Sequence, residues 1–199
     1  AGERYRERPP IDLTDPRLRA MAKQLAPSLM RVSGTWANNT YLEADGEDLS
    51  APPAGFVQVL KRDQWRGVVD FAKAVDAPIV TSFAVSTRDE DGQWTTTQAQ
   101  RLADLTREAG GTIYAAEFFN ETNVPTAAPE MPKDYTADDY AREFGLFKSW
   151  ASKALPDMLI LGPGGVGEGG LLTEIPVPGM GFVPTEELAK RTRDSVDAF

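Results

Sequence analysis

A chain of 199 residues with 30 acidic against 21 basic side chains carries a net charge of −9, which argues against gripping a nucleic-acid backbone by counterion release. It contains neither cysteine nor histidine, which excludes disulfides, Cys nucleophiles, every Ser/His or Cys/His pair and the usual zinc ligand sets. With 41% apolar and 26% charged residues it should still bury a core, so its chemistry must rest on carboxylates, hydroxyls, amides, Lys and Arg. No apolar run reaches membrane-spanning length, and residues 1–10 are charged and lack a signal-peptide core. A signal removed by processing leaves no trace, so the compartment stays open, with a secreted or periplasmic address favoured. The acidic balance suits an uncharged sugar as substrate, and suits an acidic one only where Arg or Lys gathers locally.

The polar, proline-rich opening gives way to a helix over 16–26, with Asp15 as N-cap, Pro16 in the first turn and Pro27 as the stop. The run SLMRVSG, 28–34, has strand length and ends in glycine. Residues 43–54 read as a loop, a second helix starts near Asp63 and stops at Pro78, and IVTSFAVS, 79–86, is the next strand. A third helix over 95–111 leads to the strand TIYAAEFF, 112–119. The fourth helix, from Thr136, has acidic residues in its first turn and Tyr140, Phe144, Phe147 and Trp150 spaced by three and four. The strand MLILGPGG follows, then a Gly- and Pro-rich loop over 162–184, a fifth helix over 185–195 and the apolar start of another strand in VDAF. Five helix-then-strand units with continuous apolar strands imply an α/β fold with a parallel sheet. A doubly wound sheet and a (β/α)8 barrel both fit; no GxGxxG follows the first strand, and GPGGVGEGG lacks the Lys and hydroxyl of a phosphate loop.

Glu121 lies just past the strand 112–119, in the run Glu117-Phe118-Phe119-Asn120-Glu121-Thr122-Asn123. On a barrel this is the C-terminal rim, where a partly desolvated carboxylate flanked by amides can serve as the general acid of glycoside hydrolysis. The plainer alternative is an exposed loop glutamate. Glu117, inside the strand, reads as a buried structural carboxylate paired with an Arg or Lys.

The runs SLMRVSGT, GQWTTTQAQRL, AAEFFNETN and LGPGGVG occur in this order at suitable spacings. Together they resemble the heparanase and β-glucuronidase family of glycoside hydrolases, family 79, in the clan of retaining (β/α)8 enzymes. The likeness spans roughly residues 17–165 and is most specific from Gln93 through Asn123. It implies a (β/α)8 TIM barrel present as a partial barrel over 1–199, covering about strands two to five and the start of the sixth. It further implies Glu121 as acid/base, Asn120 as the partner of a sugar 2-hydroxyl, Thr35 as a substrate contact and Arg31 as the support of the catalytic carboxylates. Arg31 has a second reading, as the ion-pair partner of a buried acid such as Glu117. Trp36 and Asn38 would line the sugar site, or else be a core residue and a turn residue. Trp94 would pack under its helix rather than stack on a sugar. The departures are Thr122 where the family has Pro and Ser33 where it has the first Gly. The nucleophile, a Glu on a late strand in this family, falls outside the strands recognised. The expected substrate is a glucuronide-containing carbohydrate or glycosaminoglycan-like chain, the expected partner the remaining barrel segment or a second chain, and no metal or organic cofactor is implied. A non-catalytic carbohydrate-binding or assembly protein on the same scaffold is the alternative.

Overall fold

The computed structural model describes residues 9–128, 130–167 and 181–199. Helix α1, Pro16–Lys23, starts where expected: the Asp15 carboxylate accepts from the backbone N–H groups of Arg17 and Leu18 at 2.7 and 3.3 Å. The first strand, β1, is Met30–Val32. A short 3-10 helix, Thr35–Asn39, follows and leads into β2, Thr40–Leu42, which pairs in parallel with β3, Gln58–Leu60. This two-stranded sheet was not foreseen. It flanks the expected loop 43–54, whose Glu43 and Asp48 both bind the Lys61 ammonium, at 2.6 and 2.7 Å.

Helix α2, Arg62–Val75, precedes β4, Ile79–Ser82; α3, Thr97–Glu108, precedes β5, Ile113–Glu117; and α4, Ala137–Ala154, precedes β6, Leu159–Ile160. The strands are shorter than their apolar runs, because each chain leaves the ladder at its C-terminal end to build loops. The main sheet has the order β1-β4-β5-β6, all parallel. Helix α5, Thr185–Thr192, continues as a 3-10 turn over Arg193–Ser195. Beyond it Ala198 bridges in parallel to Leu161, so VDAF begins a further strand beside β6. Every unit therefore adds to the same side of its predecessor. Residues 1–8 and 168–180, the first part of the polar opening and the middle of the 162–184 loop, lie outside the described residues. No described helix is long and apolar enough to cross a membrane.

The core lies where α3 and α4 cover the sheet. The spacing that marks α4 buries Tyr140, Phe144 and Phe147, with Trp150 packed at the margin. Phe118 stacks on Phe147 at 5.3 Å between ring centroids and meets Trp94 edge-on at 4.9 Å. Such pairs add about 0.5–1.5 kcal/mol each beyond their burial. Trp94 is buried, its indole N–H donating to the Ala84 carbonyl at 2.9 Å, which is the packing role expected of it. A smaller cluster of Phe71, Val75 and Ala77 seats α1 through Leu18 and Ala22.

Candidate active site

The site stands at the C-terminal ends of β1, β4 and β5. β5 ends at Glu117, and the next two side chains, Phe118 and Phe119, turn into the core. That double anchor delivers Asn120 and Glu121 to the rim. Phe83 N–H donates to the Phe118 carbonyl at 3.1 Å, keeping the chain beside the β4 extension.

Glu121 adopts a left-handed backbone, φ 53°, a conformation that costs a side-chain-bearing residue on the order of 1–3 kcal/mol. The turn is held on both flanks. Thr122 N–H donates to the Gly164 carbonyl at 3.1 Å, and the Asn123 amide pairs with both backbone groups of Val166, at 2.9 and 2.8 Å. On the other flank the Asn38 amide does the same for Asn120, Nδ2 donating to the carbonyl at 2.8 Å and Oδ1 accepting from the N–H at 3.0 Å. Asn38 is only 2% exposed, so both its polar atoms are directed inward at backbone and neither faces the rim.

The Thr35 hydroxyl donates to Glu121 Oε2 at 2.5 Å. Gly34 makes this approach possible: its φ of 143° lets the chain swing from β1 into the 3-10 helix that begins with Thr35. Arg31 Nη2 donates to Glu117 Oε1 at 2.6 Å and to Asn120 Oδ1 at 2.7 Å. Both readings of Arg31 thus meet in one guanidinium. A guanidinium has no acceptor, so the Asn120 atom facing it is the amide oxygen, and the Asn120 NH2 group, which makes no hydrogen bond among the described residues, is left to donate elsewhere. The Arg31 side chain is 51% exposed, so solvent screens much of its attraction.

Glu117 sits beneath. Burial pushes its carboxyl above the usual range; the Arg31 guanidinium and the Ser33 hydroxyl pull it back in part, and the nearby Glu121 charge adds to the rise. Ser33 Oγ lies 2.6 Å from Ser82 Oγ and 3.4 Å from Glu117 Oε1. The serine that stands where the resembled family has glycine is therefore part of the Glu117 surroundings. A Cβ on Gly164 would lie 2.5 Å from Glu117 Oε2, so a side chain there would have to displace the Glu117 carboxylate.

Of the residues singled out by sequence, Arg31, Thr35, Asn38, Asn120 and Glu121 gather here, while Trp36 lies 59% exposed just past Thr35. A cavity of about 770 Å³ opens beside β1 and is lined in part by Ser33, Gly34, Trp36 and Ser82, but it does not reach Glu121. Geometry around the carboxylates, rather than cavity size, marks the candidate site. Ser82, Asn123 and Gly164 were missed. Ser82 carried a signal in its polarity within an apolar strand; Asn123 and Gly164 stood inside quoted motifs but were given no role, because their partners Val166, Thr122 and Glu117 depend on the fold. The chain matches no protein-family model, and a search of curated proteins finds no match.

Proposed function

We propose that the chain supplies the acid/base half of a retaining glycoside hydrolase acting on β-glucuronides, in the manner of a heparanase or an exo-β-glucuronidase. The scaffold would be a (β/α)8 barrel of which these residues form strands two to five and the start of the sixth. The one-directional strand order supports this, since a doubly wound sheet reverses direction from its first strand. The observation that carries the reading is the pairing at the rim: Glu121, bonded through one oxygen to Thr35, next to Asn120, whose amide donor has no partner among the described residues.

In this role Glu121 protonates the glycosidic oxygen as the bond breaks and then takes a proton from water, while the Asn120 NH2 group donates to the sugar 2-hydroxyl. A retaining reaction needs a second carboxylate about 5 to 5.5 Å away as nucleophile. Glu117 is a poor one, because it is buried and engaged by Arg31, so the nucleophile would come from a remaining barrel segment or a second chain.

The test is hydrolysis of a β-glucuronide with a poor, unactivated leaving group by this chain with and without the complementary barrel segment, beside Glu121→Gln. Turnover only in the assembled protein, reduced about 10²- to 10⁴-fold by the substitution, fits the proposal. Binding of glucuronide without turnover in either state would favour the carbohydrate-binding alternative. Turnover by the chain alone would place a nucleophile within it and overturn the half-barrel reading.

A further inference from the structure

We infer that Asn38 is a positioning residue of the site, fixing the backbone that presents Asn120 and Glu121. The inference rests on the reading of Glu121 as acid/base. One carboxamide satisfies both backbone groups of a residue 82 positions away, as a neighbouring strand would. Among side chains of this size only an amide offers a donor and an acceptor side by side; aspartate of the same shape would set a second oxygen against the Asn120 carbonyl. Asn38 is itself anchored, its carbonyl accepting from the N–H groups of Val85 and Ser86 at 2.8 and 3.2 Å.

Thr35 and Asn38 belong to the same 3-10 helix, Thr35–Asn39. Its first residue grips the Glu121 carboxylate and its fourth grips the peptide groups of Asn120, one residue before the left-handed turn. A single short helix thus holds side chain and main chain of the Asn-Glu pair in register, and couples both to the loop after β4. Without the amide, the Asn120 peptide loses its partners on this flank and the Glu121 backbone is free to relax to a right-handed conformation that carries its carboxylate away from Thr35.

Two measurements test this on the protein assembled with its complementary segment. Hydrogen exchange at the Asn120 amide should be slow in the unaltered protein and at least about tenfold faster in Asn38→Ala, while amides of the α3 core keep their protection. Turnover in Asn38→Ala should fall at least about tenfold more on glycosides with poor leaving groups than on those with activated aryl groups, since only the former need the proton. A general loosening of the fold would lower both equally. Asn38→Asp, nearly isosteric, should shift the leaving-group dependence the same way and serves if the alanine variant does not fold. Fast exchange at Asn120 in the unaltered protein, or equal loss on both substrate classes, overturns the inference. Failure of the acid/base reading shows separately, as Glu121→Gln insensitive to the leaving group.

Discussion

The Thr35 hydroxyl and the Glu121 carboxylate, 86 positions apart, meet at 2.5 Å and join the ends of β1 and β5 across β4. A hydrogen bond to a charged group is worth about 1.5–3 kcal/mol, or roughly 10- to 100-fold in a rate that depends on it. Under the proposed acid/base role, Thr35→Val keeps the shape and removes the donor, so kcat/KM for a β-glucuronide with a poor leaving group should fall by that order in the protein assembled with its complementary segment, and Thr35→Ser should restore most of it. Unchanged kinetics in the valine variant would show that the bond has no part in turnover.

Glu117 sets a pH dependence of stability. Its carboxyl is raised above the ordinary value of 4.5, chiefly by burial, so the folded state holds the proton more tightly than the unfolded chain. This contribution is complete below 4.5 and is lost as pH rises through the elevated value. Glu117→Gln has no proton to lose, so its urea midpoint should decline less than that of the unaltered protein over the same rise. An equal or steeper decline would contradict the burial-dominated account.

Arg88 and Glu143 form the most enclosed ion pair in the described residues, 8% and 1% exposed, with contacts of 2.6 and 3.1 Å. The same carboxylate accepts from the Tyr135 hydroxyl at 2.9 Å and from Trp94 N–H at 3.1 Å. Arg88→Leu strands a buried charge and should cost about 3–5 kcal/mol in urea unfolding. Adding Glu143→Leu should recover part of that loss, and strict additivity of the two would dismiss the pair as a unit.

Gly164→Ala forces a methyl against Glu117 Oε2, at 2.5 Å before relaxation. Relief requires the buried Glu117 carboxylate to turn its Oε2 aside, which disturbs the Oε1 contact to Arg31, or the Gly164 backbone to shift. The expected cost is about 1–3 kcal/mol in thermal or urea unfolding. Little effect on Gly164→Ala with full stability retained would mean that the 164–166 segment shifts freely.

The local grammar of the chain foretold much of the fold and only part of the site. Asp15 before Pro16, and Thr136 before two aspartates, mark helix starts because caps act within one turn. The aromatic spacing of α4 is equally short-range. β2 and β3 escaped because strands of three residues are too brief to show an alternating pattern. Motif resemblance drew Arg31, Thr35, Asn38, Asn120 and Glu121 together, yet it offered Asn38 as a sugar contact or a turn residue, whereas its amide is directed at the Asn120 backbone. That difference depends on a contact 82 residues distant, which no neighbouring residue encodes. The Arg88–Glu143 pair, 55 residues apart, was silent for the same reason.

The one-directional order of the main sheet bears on how the chain is made. Each strand that leaves the ribosome after β1 finds its neighbour already synthesised, so pairing can follow translation without waiting for a later segment to be inserted between earlier ones. The successive crossovers are also similar in length, from Arg31 to Val80, from Val80 to Ala115 and from Ala115 to Leu159. Doubling a loop adds only about 0.6 kcal/mol to its closure, so no single crossover stands out as the slow step of assembly.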